Sequence, residues 1–496
     1  MSNDKMIFKV IKSMTMNEKR YFKIYCKQHT LGSQNKYVLL FDLIDNLKEF
    51  DEELVKEGLK KKEYSNKYFS ADMNYLTRIL MKSLNEFHSE KTCDLKIKQN
   101  LISIEILFYK GLYEECLNLI NKTKRVKLAN ESQYLILELL NWEKKCIGYS
   151  KGLLEAIEVN NTIGSYFAIL KEAKLITDVY YKSYFYKNSI GKISRKQVEL
   201  DFDELLKSEI LTKKNRQSTI RTDIYYQLIY SNYYHVIRDK KNEMSYLREV
   251  ISLFDDNEVY KYENPLDYIS VYIRILDINK KEEGSVFYND LKRLRSFNKI
   301  INLQSAVAEE RIFLHTYQAE LEYLLNINQL DKALLIMNNM QETLVLNKYN
   351  IEPYYMISLY YIFASIYCSM GNFSNGLKYI NKILNEHKVK ERPNTFIKAE
   401  FLNIIIHYEL KNYKLVLKNI LDLDKKYKSS FKFSYLEKAV LKTIVKISEN
   451  PHIVNEKSEF AKLKLKISNK YEQDENLLHD NYMKYINLKT SYRQNI

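Results

Sequence analysis

Apolar side chains recur every three or four positions along almost the whole chain. Tyr37, Leu40, Phe41, Ile44 and Leu47 fall on one side of a helical wheel, and so do Leu101, Ile104, Leu107 and Phe108. The period is that of a helix, about 3.6 residues, and the alternation of a half-buried strand is sustained nowhere. In the first 90 residues the pattern predicts helices near 4–12, 16–28, 36–49, 52–61 and 71–89. Thr15 and Glu18 are spaced to form a capping box at the start of the second. Ser70 stands where an N-cap of the fifth belongs. These helices are expected to form a compact head over residues 1–92.

Beyond residue 95 the periodicity is organised into hairpins. Three segments align on a common turn: 323–340 (YLLNINQLDKALLIMNNM), 367–384 (YCSMGNFSNGLKYINKIL) and 407–421 (HYELKNYKLVLKNIL). With Asn328, Gly371 and Lys411 as equivalent turn positions, the spacings are 43 and 40 residues. An aromatic or Leu follows two residues later: Leu330, Phe373, Tyr413. A fourth copy, 107–120 (LFYKGLYEECLNLI), has Gly111 at the turn and Tyr113 after it. The turn residue ends the first helix tightly, and the aromatic packs between the arms. The position five after the turn is small where the helices cross most closely, as with Ala333, Gly376 and Cys116. Met337 and Met340, or Ile380 and Ile383, continue the apolar face.

These residues resemble the tetratricopeptide repeat. The copy around Gly371 matches best, with Tyr360, Phe363, Ala364, Tyr367, Gly371, Phe373 and Gly376 on consensus places. It departs in three ways: the consensus period is about 34 residues, the terminal Pro is absent, and the late Ala is replaced by Met340, Ile383 or Leu423. A period near 40 also overlaps the HEAT and armadillo range; the aromatic, glycine and small-residue places favour the tetratricopeptide-like class. The resemblance is good over 100–125 and 310–425. It is weaker between, where Tyr246 to Phe254 looks like the second helix of another copy. Residues 185–222 are polar, with nine basic and five acidic side chains from Lys187 to Arg221, and are expected as an inserted loop or joint. The head, with its NEKRYF run at 17–22, resembles the opening of uncharacterised bacterial proteins that continue into helical repeats. The expected fold is all-α: a tetratricopeptide-like helical-hairpin solenoid with an N-terminal compact helical domain. Its expected segments are a head at 1–92, a repeat block at 93–184, the joint at 185–222 and a second repeat block at 223–496.

Composition agrees. Only 10 Gly and 4 Pro occur among 496 residues, too few for the turns and bulges of a β-rich chain. The net charge of +15 permits contact with polyanions, yet residues 1–90 hold 16 basic and 13 acidic side chains, and the excess is spread along the chain. Five scattered cysteines with no Cys-x-x-Cys pair fit a reducing compartment. The charged N-terminus lacks the apolar run of an export signal. A cytoplasmic location is therefore expected. From Pro353 to Leu377 no residue is charged, but five Tyr and a polar break at 371–375 argue for a helix buried between neighbours rather than a membrane span.

Chemistry-bearing motifs are missing. The sequence contains no phosphate-binding Gly-rich loop, no nucleophile elbow and no zinc-spaced Cys/His cluster. Glu475 and His479 share a helix face, which a solvated ion pair explains better than a metal. The chain is expected to be no enzyme, with no catalytic residue, metal or cofactor. The resemblance implies a protein or peptide partner held on the concave side by the first helix of each hairpin. Its usual places carry over onto His315, Gln318 and Glu322, then Ser358, Tyr361 and Ser365, then Lys398, Phe401 and Tyr408. These do not form the Lys/Asn carboxylate clamp of chaperone-binding members, so a free acidic C-terminus is not the expected ligand. The alternative is a transcriptional or RNA-associated regulator whose head binds nucleic acid. The helix near 71–89 would then take the recognition place, and Arg78 and Lys82 would face phosphate, although Asp72 stands early in that helix. A structural cap is the preferred reading of the head.

Overall fold

Helix is the only regular structure among the described residues, with 24 helices and no strand. A computed structural model describes residues 3–28, 36–125, 133–189, 194–213, 219–280, 284–300, 305–345, 351–386, 393–427, 435–471, 485–486 and 489–490. The expected Glu475 and His479 pair lies outside them. Contacts divide the chain into two units, Met1–Ile312 and Phe313–Ile496. The division falls inside the expected 223–496 segment.

The first unit opens with α1 (Asn3–Ser13), α2 (Met16–Gln28), α3 (Lys36–Asn46), α4 (Glu52–Lys60) and α5 (Phe69–His88). Their apolar faces share one core, including Ile11, Phe22, Phe41, Ile44, Leu59 and Leu76. The capping box forms: the Thr15 N–H donates to Glu18 Oε2 at 2.6 Å, and the Glu18 N–H donates back to Thr15 Oγ1 at 3.3 Å. Ser70 is not a cap. α5 starts two residues earlier than expected, after Tyr68, which makes no side-chain cap bond, because burying Phe69 in the head core draws it into the first turn.

Glu18 also joins α2 to α5, with Oε1 2.6 Å from His88 Nε2. Burial alone would raise this carboxyl, but the Thr15 and His88 hydrogen bonds hold it below its ordinary value. Its contribution to stability is therefore present above the unfolded-state pKa and is lost as pH falls through the lower folded value. Glu18→Gln should cost about 1 kcal/mol at pH 7. Urea titrations should show that difference shrinking as the pH falls below 4.5, the ordinary value for this group.

Further on come α6 (Cys93–Tyr109), α7 (Tyr113–Lys124), α8 (Gln133–Ser150), α9 (Leu153–Ser189), α10 (Arg195–Leu206), α11 (Glu209–Thr212), α12 (Ile220–Val236), α13 (Lys240–Asp255), α14 (Glu258–Glu263), α15 (Pro265–Asn279) and α16 (Gly284–Ile300). The division between units lies in α17 (Ala306–Asn326). The second unit continues with α18 (Leu330–Val345), α19 (Pro353–Ser369), α20 (Phe373–Glu386), α21 (Pro393–Glu409), α22 (Tyr413–Tyr427), α23 (Tyr435–Glu449) and α24 (Glu456–Tyr471). The expected joint at 185–222 holds the end of α9 and then α10 and α11. These helices form because Val198, Phe202, Ile210 and Leu211 give the polar stretch a buried face against Ile176, Val179 and Ile229.

One turn recurs. Gly111, Asn328, Gly371 and Lys411 all have left-handed backbone, with φ of 76°, 58°, 74° and 61°. The next residue's N–H donates five residues back in each case, from Leu112 to Leu107, Gln329 to Leu324, Asn372 to Tyr367 and Asn412 to His407, at 2.9–3.1 Å. This satisfies the last carbonyls of the first helix, and the second helix starts one residue later. The same turn joins α12 to α13: Arg238 has φ 63°, and the Asp239 N–H donates to the Tyr234 carbonyl at 2.9 Å. Beyond the turn, Tyr113 packs edge-on to Phe108 at 5.4 Å, and Tyr413 to Tyr408 at 6.1 Å. Cys116, Ala333 and Val416, five residues after the turn, are fully buried.

Lys and Arg are strained in this conformation because Cβ crowds the carbonyl. Lys411→Gly is expected to stabilise the chain by about 0.5–1 kcal/mol. A lower urea midpoint than wild type, at equal slope, would contradict that.

Candidate functional site

Three of the hairpins' first helices, α17, α19 and α21, carry the nine residues expected to line a groove, and none of the nine is fully exposed. His315 meets Tyr355 edge-on at 5.6 Å, and Gln318 donates to Glu322 at 3.0 Å along α17. Ser358 is buried, and its hydroxyl has no hydrogen-bond partner among the described residues. Tyr361 is half-buried, one turn before Ser365, whose hydroxyl donates to the Tyr361 carbonyl at 2.8 Å. Lys398 is half-buried. Phe401 and Tyr408 sit in the core formed by α21 to α24.

Around Tyr361, α19 packs against α21, and Glu437 of α23 lies within electrostatic reach. Burial pushes the Tyr361 hydroxyl up, and the charge of Glu437 from α23 adds to the shift. One turn beyond Ser365, the Cys368 thiol is pushed up to about 12 by burial and then by Glu409 of α21. Both are titratable groups set into a surface that water reaches poorly.

A second arrangement, which the sequence reading missed, lies in the first unit. Glu243 stands five residues after the left-handed Arg238, the place that is small and apolar in other hairpins. Its buried carboxylate lies 3.2 Å from His235 Nδ1 and accepts from Arg274 Nη2 at 3.1 Å. Arg274 also donates to Ser231 at 2.8 Å, while Asn232 donates to Ser183 of α9 at 3.0 Å. Burial would raise Glu243, but His235 and then Arg274 hold it below its ordinary value. One turn past Ser183, the half-buried Lys187 amine lies over the Tyr184 ring at 5.3 Å. Burial, with the charge of Arg274, lowers it to about 8. A sequence signal existed: Arg238, Glu243 and Leu247 repeat the turn, +5 and +9 places of the copy at Gly111, Cys116 and Ile120.

On the head, Arg78 and Lys82 are exposed on α5, and the Arg78 guanidinium lies over the Tyr75 ring at 4.9 Å. Asp72 points inward: it is buried and ion-paired to Lys36.

No protein-family model, curated protein or solved structure matches this chain. Among the described residues no group of three or more His, Cys, Asp or Glu is placed to hold a metal ion. No described helix is long and apolar enough to cross a membrane; the uncharged run from Pro353 is split between α19 and α20 by the Gly371 turn.

Proposed function

We propose that this chain is a non-enzymatic protein-interaction scaffold or regulator. Tetratricopeptide-like hairpins stack in it as a solenoid, and a partner segment lies along the face that α19, α21 and α23 share. The observation that carries the reading is the pair of half-buried groups Tyr361 and Cys368 beside the buried Ser365, within electrostatic reach of Glu437 and Glu409. Such a surface is neither core nor freely hydrated, which is the character of a recognition groove on a repeat array. The recurring left-handed turn supports the repeat reading, because it returns each second helix against its first in the same way. Tyr361→Arg places a charge on this face without touching the turns. Proteins captured by the full wild-type chain should be lost by this variant, and capture of the same set by both would sink the reading.

A second reading is favoured by one feature of the head. With Asp72 withdrawn, α5 presents Tyr75, Arg78, Met81 and Lys82 on one exposed face, a stripe with the acid Glu86 only one turn beyond Lys82. Such a stripe suits phosphate contact and ring stacking on nucleic acid. Arg78→Ala with Lys82→Ala in the full chain should then lower the slope of log affinity against log salt by about two. An unchanged slope removes this reading.

A further inference from the structure

Glu409 is the last residue of α21, where the helix's own carbonyl dipoles disfavour an anion. Among the described residues its carboxylate is hydrogen-bonded by the Tyr485 hydroxyl and the Lys489 ammonium and by no other side chain. The same ammonium lies 2.7 Å from Glu409 and 2.8 Å from Glu456, the first residue of α24. Tyr408 completes the lip, donating to Glu456 at 2.9 Å, and the Tyr485 ring meets Phe460 edge-on at 5.9 Å. Below, Ile486 is fully buried in the core formed by α21 to α24. Tyr485, Ile486, Lys489 and Thr490 all have helical backbone, and the Thr490 hydroxyl donates to the Ile486 carbonyl at 3.1 Å. A tyrosine, the aliphatic residue next to it and a lysine four places on thus fill one acidic, apolar-floored notch.

Without these three groups, α21 and α24 would present two neighbouring carboxylates beside an aromatic wall, with no described cation between them. Charge and shape together define what fits: a helix offering a hydroxylated ring, an aliphatic side chain and an ammonium or guanidinium at i, i+1 and i+4. One buried aliphatic side chain and one shared lysine make a small anchor of the kind that recognition helices use.

We propose that the notch formed by Glu409, Glu456 and Tyr408 is a docking site for such a helix. Tyr485, Ile486 and Lys489 occupy it in cis, and a partner helix carrying the same three groups enters by displacing them. The proposal rests on the protein-binding reading of the second unit and gives its partner a chemistry: basic and aromatic, and helical when bound. A tethered occupant acts at millimolar effective concentration, so it holds off a free helix of micromolar affinity by about a hundredfold or more.

The test uses the full chain with the cis segment disabled by Ile486→Asp and Lys489→Glu. The probe is a fluorescein-labelled peptide with the sequence of residues 480–494, followed by anisotropy. The disabled chain should bind it at least tenfold tighter than wild type. A peptide carrying Lys489→Glu should bind neither chain, and adding Glu409→Gln with Glu456→Gln to the disabled chain should abolish binding. Equal or absent peptide binding by the wild-type and disabled chains, with helical content and melting unchanged, overturns the proposal. Should the disabled chain unfold, hydrogen exchange on the wild-type chain decides. Excess peptide should speed exchange at 485–490, and no change overturns the proposal. Partner capture that still depends on Tyr361 while the peptide fails leaves the groove standing without the notch; loss of both removes the groove as well.

Discussion

Gly376→Val is expected to destabilise the second unit by about 2–3 kcal/mol, through overpacking. A Cβ on Gly376 would lie 2.7 Å from Cys368 Sγ, 3.4 Å from the Ala364 carbonyl oxygen and 3.6 Å from Ile406 Cδ1. Three elements close on one point, so the backbone of α20 can approach α19 only where there is no side chain. Two effects oppose each other in the milder variant. Ala in place of Gly favours a helix interior by about 1 kcal/mol, while displacing the thiol and the carbonyl takes back that gain or more. Gly376→Ala should therefore fall near zero or slightly below, and the methyls of Val, which must also meet Ile406, decide the sign. Cys368→Ala in the Gly376→Ala background should recover stability, since it removes the nearest atom. Urea unfolding of the four chains checks this, and a Val variant as stable as wild type would place the crossing of α19 and α20 elsewhere.

Glu243→Ala is expected to cost about 3 kcal/mol, because it leaves the Arg274 guanidinium half-buried without its carboxylate. Glu243 is 6% exposed and Arg274 20% by side chain, so the pair is screened far less than a surface bridge. Replacing both partners by apolar residues, Glu243→Leu with Arg274→Met, should return to within about 1 kcal/mol of wild type, since the desolvation of two charges is then avoided as well. A double-mutant cycle with a coupling near zero would show that the two side chains do not meet. The wild-type contribution also has a pH signature. Glu243 is held below its ordinary pKa, so its stabilisation is present above 4.5 and is lost as pH falls through the folded value.

The turn positions were legible in the sequence because their requirement is local. A turn residue followed at two places by an apolar group and at five by a small one can be recognised at Gly111, Asn328 and Gly371, and Lys411 keeps the aromatic at two places with Val416 at five, without knowing what lies opposite. The capping box at Thr15 and Glu18 is local in the same sense. Arg238 was passed over because Arg rarely takes that conformation and because Glu243 replaces the expected small apolar residue; only the partners His235 and Arg274 make a buried carboxylate tolerable there. The helices at 195–206 and 209–212 were hidden by charge, since four apolar side chains suffice to bury one face of a polar stretch once α9 and α12 are in place. The expected groove residues shared a face by rule of spacing, and burial then sorted them. Tyr361 is half-buried with the buried Ser365 one turn on, whereas Phe401 and Tyr408 belong to the core formed by α21 to α24. The grip of Lys489 on Glu409, across 80 residues of chain, has no signature in local pattern at all.

The central claim, that a partner segment lies along the face of α19, α21 and α23, is tested most directly by photo-crosslinking. A photoreactive phenylalanine analogue is placed at Tyr361 in the full chain, with the same group at the exposed Leu421 on α22 as control. A defined protein adduct from position 361 and none from 421 is the predicted result. Adducts from 421 but not 361, or none from either position while the protein still captures its partner, would contradict it.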